Sequence, residues 1–186
     1  MDAIQIFGVV TGLLFVVLEV RQNKWLWPLG FLTSAVYVYI FFQGKFYADM
    51  GLQVYYVAIS LYGWYWWTRG GRNPDRPDRV LPVSRLSRSL GFRLGLATLA
   101  LWAGLWWILF AFTDSPVPAG DSFTTALAVV ATWMLTRKIL EQWHLWVVAN
   151  AVSAALYLYK GLYPPFSCIL STLACRSTAR WNGKKA

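Results

Sequence analysis

Residues Trp143–Tyr159 read WHLWVVANAVSAALYLY, 17 residues without a single Asp, Glu, Lys or Arg. That length falls at the short end of the roughly 17 to 25 residues a transmembrane helix needs to cross a hydrocarbon core about 30 Å thick. Working outward, six further segments compete for the same description: Ile4–Val20, Trp25–Phe42, Met50–Trp67, Leu94–Phe112, Phe123–Leu140 and Leu162–Cys175. The last is the weakest, because Ser, Thr and Cys crowd Cys168–Thr178 and Arg176 arrives early. The whole chain of 186 residues is 58% hydrophobic and only 13% charged, with mean hydropathy +0.45, too little polar cover for a water-soluble domain. The expectation is an all-α integral membrane protein with seven spans.

Loops joining seven spans alternate sides, and basic residues collect in the cytoplasm. Sorted this way, 15 of the 17 Lys and Arg fall on one side, and only Lys45 and Lys160 on the other. This places the N-terminus outside and the C-terminus in the cytoplasm. The net charge of +9 then reports orientation, and a nucleic-acid partner is excluded. The linker at 68–93 carries seven Arg with Pro74, Pro77 and Pro82, and reads as a solvated cytoplasmic loop with lipid headgroups as a lesser alternative. Cys168 and Cys175 have no CxxC or His partner and read as inert thiols. The start of the chain lacks a basic n-region and reads as a retained span.

Gly30–Tyr39 (GFLTSAVYVY) overlies Asn150–Tyr159 (NAVSAALYLY) at an offset of 120, pairing Ala35 with Ala155, Tyr37 with Tyr157 and Tyr39 with Tyr159. Gly44 and Tyr47 follow the first copy, Gly161 and Tyr163 the second. Span two thus matches span six, with span four between the halves. The expected architecture is a 3+1+3 parallel repeat: a first three-helix repeat over 1–67, the loop at 68–93, a linking helix over 94–112 and a second repeat over 123–181. In such folds the binding site lies at the repeat interface.

Trp143, Trp146 and Asn150 are spaced i, i+3 and i+7, which gathers them on one helical face. Two indoles and an amide suit a flat heteroaromatic ring carrying a polar group, although Trp143 near Arg137 and Glu141 equally fits an interfacial aromatic belt. Asn150 lies mid-span, where an amide either lines a cavity or ties helices together. Gln53 is the other interior amide, followed by Tyr55, Tyr56 and the cluster Tyr62–Trp67, most of which reads as belt. Glu19, near Arg21, reads as a structural pair or snorkelled carboxylate rather than a coupling acid. The lone His144 sits beside the Trp face, and neither a metal site nor a cofactor has residues to hold it. No nucleophile has a base beside it and no catalytic motif is present, so the chain is not read as an enzyme. Without a charged residue at mid-span in the second, third, fourth or sixth segment, a passive carrier of a neutral or cationic ring fits better than a pump or a carrier of phosphorylated cargo.

The motif W-x-x-W-x-x-x-N at Trp143, Trp146 and Asn150, led by Thr136-Arg137-Lys138 and Glu141, together with Leu52-Gln53-Val54 and Tyr62-Gly63-Trp64, resembles the PnuC family of bacterial vitamin-precursor transporters over roughly residues 4–165. The resemblance implies a SWEET-like seven-helix carrier of the inner membrane, taking up nicotinamide riboside by facilitated diffusion while a cytoplasmic kinase, a metabolic rather than a physical partner, traps it as a phosphate. It also implies a possible homotrimer, thiamine as an alternative substrate, and Trp143, Trp146, Asn150 and Gln53 as substrate contacts. Residues 166–186 depart from the family's longer, more aromatic last helix. The alternative from another class is a non-transporting membrane scaffold or sensor subunit.

Overall fold

The computed structural model describes residues 3–43, 47–69, 83–113 and 117–159, without the side chains of 3–9, 47–49 and 157. The expected seventh span, both cysteines, residues 70–82 of the Arg-rich loop, and Gly44, Lys45, Lys160, Gly161 and Tyr163 lie outside the described residues. Within them the chain forms six helices and no named strand. These are α1 (Ala3–Val20), α2 (Leu26–Gln43), α3 (Tyr47–Arg69), α4 (Arg88–Phe112), α5 (Pro118–Thr136) and α6 (Gln142–Tyr159). The chain divides between residues 82 and 83 into two compact units, α1–α3 and α4–α6. The linking helix therefore belongs with the second half.

In the first unit, α1 ends in a left-handed turn at Gln22 (φ 50°). The Gln22 N–H donates to Glu19 O (2.9 Å) and the Asn23 N–H to Leu18 O (2.9 Å), the paired bonds of a Schellman cap. Asn23 Oδ1 then accepts the Trp25 N–H (3.1 Å), turning the chain into α2. Small residues let α2 approach its neighbours. Gly30 and Ser34 are buried, and a Cβ on Gly30 would lie 3.1 Å from the Phe15 ring and 3.2 Å from Ser60 Oγ. Trp27, 1% exposed, lies over Gly63 of α3 and meets Trp67 edge-on at 5.5 Å, while Trp25 meets Trp64 at 5.8 Å. Part of the Tyr62–Trp67 cluster is thus helix-packing material rather than membrane belt.

In the second unit, α5 runs between α4 and α6 with Ser122, Ala126, Leu127, Val130, Ala131, Met134 and Leu135 buried. Its hydroxyls are satisfied internally, as a membrane interior requires: Thr132 donates to Ala128 O (2.7 Å), Thr136 to Trp133 O (2.7 Å) and Thr125 to Asp121 O (2.8 Å). Helix α5 closes four residues before the expected end of its span, through a second Schellman cap. Lys138 is left-handed (φ 53°), its N–H donates to Leu135 O (3.0 Å), and the Ile139 N–H donates to Met134 O (3.1 Å). Ile139 packs on Met134 in the same cluster, the apolar contact that accompanies such caps. Helix α4 starts earlier than expected, at Arg88, because Ser87 Oγ accepts the Leu90 N–H (3.3 Å) and caps a polar first turn. Helices α2 and α4 are each long and apolar enough to cross a bilayer; the Trp, Tyr and amide residues of α3 and α6 lower their hydropathy without excluding a span. No residue of α4 is buried, and Phe92, Leu96, Trp106, Trp107 and Phe110 face outward.

Each unit gathers basic residues at one end. The two Trp pairs put the start of α2 beside the end of α3, so Arg21, Lys24 and Arg69 share an end of the first unit. In the second, a parallel bridge between Ser84 and Ile139 joins the approach to α4, with Arg85 and Arg88, to the α5–α6 turn with Arg137 and Lys138.

Candidate functional site

Helix α6 has three faces. Leu145 packs against the cluster of Val130, Met134 and Ile139, and Leu156 lies over Gly120, so this face meets α5. His144, Val148, Ala151, Ala155 and Leu158 form an exposed face. The third face holds Gln142, Trp146 and Asn150 at i, i+4 and i+8, with Trp143 beside them. This face is polar and aromatic, with Gln142 and Trp143 buried and Trp146 and Asn150 half-buried. Trp143 is only 4% exposed, which removes it from a lipid-facing belt. The Trp146 Nε1–H is buried and finds no hydrogen-bond partner among the described residues, and the Asn150 amide nitrogen is buried too. His144 is exposed on the opposite face. Chemically, the face offers indole surfaces, an N–H donor and amide groups, and no fixed charge.

A clamp holds the start of this helix. The Ser84 N–H donates to Lys138 O (3.0 Å), and Ser84 O accepts the Leu140 N–H (3.0 Å). Glu141 Oε2 accepts the Leu86 N–H at 2.9 Å across 55 residues of sequence. The Arg137 guanidinium lies 5.6 Å from the Trp133 ring. Burial pushes the Lys138 amine below its usual value. Thr136, Arg137, Lys138 and Glu141 therefore build the α5 cap and the clamp.

Gln53 lies half-buried in α3, in the first unit, so the structure groups three of the four expected contacts on one helix. Glu19 departs from its expectation. It is 6% exposed, while Arg21 is exposed, and its Oε1 is buried with no hydrogen-bond partner among the described residues; it is neither snorkelled nor paired with Arg21. Gln142, 2% exposed with Oε1 buried and likewise without a partner among the described residues, was not singled out by the sequence. Its only signal there is its place four residues before Trp146. Among the described residues no group of three His, Cys, Asp or Glu could hold a metal.

A family profile described as nicotinamide mononucleotide transporter matches residues 2–182. The nicotinamide riboside transporter PnuC of Escherichia coli K12 is 26% identical over 201 residues, covering 96% of this chain and 84% of the relative. The riboflavin/roseoflavin transporter RibM of Streptomyces davaonensis is 26% identical over 155 residues, covering 83% and 71%. A crystal structure described as the vitamin B3 transporter PnuC superposes with a TM-score of 0.66 at 20% identity, covering 92% of this chain and 75% of that one, which establishes likeness of fold.

Proposed function

Because the chain belongs to the nicotinamide mononucleotide transporter family, and is a membrane transport protein on that ground, we propose that it carries nicotinamide riboside across a bacterial inner membrane by facilitated diffusion. A cytoplasmic kinase would trap the riboside as its phosphate. The observation that carries this reading is the aromatic and amide face of α6, where Trp143 is buried, the Trp146 Nε1–H is buried without a partner among the described residues, and the Asn150 amide nitrogen is buried on the same helix. A pyridinium ring is flat and cationic, and indole faces attract it without a carboxylate. The family's description speaks of a mononucleotide, but α6 carries no Lys or Arg to meet a phosphate, which favours the dephosphorylated riboside. Gln53 is proposed as a further contact, to a sugar hydroxyl or the ring amide. The architecture proposed is the seven-span parallel repeat with its C-terminus in the cytoplasm.

The test is calorimetric titration of the purified protein with nicotinamide riboside, thiamine and riboflavin. Riboside binding alone supports the reading. Riboflavin binding alone moves the protein toward its Streptomyces relative, which is the one second reading a specific similarity favours. Thiamine binding alone keeps the site and replaces the cargo, and binding of none reopens a scaffold role. Trp146→Ala should weaken binding of the true ligand by about 1 to 3 kcal/mol, the usual worth of an aromatic stack, which is tenfold or more at the middle of that range. Uptake into liposomes should be unchanged by a proton or sodium gradient. Accumulation driven by either would overturn facilitated diffusion.

A further inference from the structure

Gln142 is one of the most completely buried side chains of the second unit, at 2% exposure, and its amide oxygen meets no hydrogen-bond donor among the described residues. A buried carbonyl without a donor is costly, and proteins seldom keep one for packing alone, since an apolar residue of the same shape would serve better. Its position gives a use. Gln142 stands one helical turn before Trp146 and two before Asn150, on the same row, and next in sequence to Trp143. Trp146 presents the complementary lack, a buried N–H without an acceptor. A donor and an acceptor left open one turn apart on one face both point to a third molecule that supplies their partners. The α6 start is also held in place by the Glu141 bond to the Leu86 N–H, which fixes the stretch of backbone that carries Gln142.

We propose that Gln142 is a substrate-contacting, specificity-determining residue whose side-chain carbonyl accepts a hydrogen bond from a neutral donor on the transported molecule, extending the site from W-x-x-W-x-x-x-N to Q-W-x-x-W-x-x-x-N. This rests on the riboside-carrier reading above. On nicotinamide riboside the donor is either the ring carboxamide N–H or a ribose hydroxyl, which share the chemistry the oxygen requires. An acceptor there also discriminates: a ligand bearing a carboxylate at that position meets oxygen against oxygen and is rejected.

The experiment is titration of the full-length protein and its Gln142→Met variant with nicotinamide riboside, with the analogue whose carboxamide is replaced by an acetyl group, and with a ribose-deoxygenated analogue, alongside thermal unfolding of each protein. Methionine keeps the shape and removes the acceptor. The expected result is a fivefold to fiftyfold loss of affinity for the riboside with unfolding temperature unchanged or raised, and a much smaller loss for whichever analogue lacks the matching donor. That analogue identifies the source of the bond. Equal losses for all three ligands together with a lowered unfolding temperature, or no loss at all, would overturn the proposal by making Gln142 structural or idle. If Gln142→Met does not fold, Gln142→Asn decides, since withdrawing the oxygen by one methylene should weaken riboside binding selectively and wild-type affinity would overturn the proposal. Absence of riboside binding by the unmutated protein would instead overturn the carrier reading on which this rests.

Discussion

Gly63 is where a single atom decides the packing of the first unit. A Cβ there would lie 2.5 to 2.6 Å from the fused bond of the Trp27 indole, a rigid part of the ring that cannot rotate aside. Gly63→Ala should therefore destabilise the protein by about 1 to 3 kcal/mol, the range for overpacking a closed core. Gly104 in α4 is the control, because a Cβ there meets nothing within 4 Å; Gly104→Ala should be neutral or stabilising by up to about 1 kcal/mol through helix propensity. Thermal unfolding of the two variants in the same detergent checks both, and equal shifts would remove Trp27 from the account. Lys138 offers a pH test. It lies in the α5–α6 turn, outside the helices, and burial disfavours its charged form, so its folded value lies below the ordinary 10.5. A folded value below the unfolded one means the folded state loses its proton first, so the penalty is full at lower pH and fades as pH rises toward 10.5. Unfolding temperature should thus rise with pH on the alkaline side more in the wild-type protein than in Lys138→Met; identical profiles would place the amine in water.

Helix ends, more than helix interiors, separate what the sequence expresses from what only the fold supplies. The clamp on α6 is one such end. Glu141→Ala strips the acceptor from the Leu86 N–H and should cost about 1 to 3 kcal/mol, with weakened ligand binding because Trp143 and Trp146 follow directly, whereas Glu141→Gln keeps an acceptor oxygen and should recover most of both. Unfolding and titration of the pair check this, and a Gln variant as impaired as Ala would sink the hydrogen-bond account. The limits of α6 were legible because an uncharged run is bounded by Glu141 and Lys160. The end of α5 was not, since apolar residues continue through Ile139 and Leu140, and the left-handed cap that usually announces itself by glycine is made by Lys138. Gln22 performs the same turn at the end of α1, so α2 and α6, the two helices paired at an offset of 120, are each reached through an Arg followed by a left-handed polar residue, an internal correspondence hidden from letter matching. On the candidate face, the grouping of Trp143, Trp146 and Asn150 on one helix was legible from spacing. Gln142 was hidden because an amide beside Glu141 reads as membrane surface until its burial is known, and Glu19 because burial without a partner leaves no trace in composition.

At the scale of the whole molecule, the proposed orientation rests on charge, and within each unit the fold agrees with it. The 15 basic residues sorted to one side of the membrane form no single sequence cluster, yet in each unit the described ones meet: Arg21 and Lys24 beside the end of α3 with Arg69, and Arg85 and Arg88 beside the turn with Arg137 and Lys138. Were the helix count before either unit off by one, the positive-inside rule would have to fail for an entire unit, and not for one loop. A labelling experiment tests this directly. In a background with Cys168 and Cys175 replaced by Ser, Asn23→Cys and Ser87→Cys stand at the basic ends and Gln43→Cys and Thr113→Cys close the opposite ends of α2 and α4. An impermeant thiol reagent applied to intact cells should reach Gln43→Cys and Thr113→Cys, and leave Asn23→Cys and Ser87→Cys untouched until the membrane is opened. Reversal in one unit alone would make the two halves an inverted repeat and overturn the proposed parallel arrangement. Reversal in both would keep the repeat, turn the clamp at Glu141 outward, and require trapping chemistry on the wrong side of the membrane, which no uptake carrier could use.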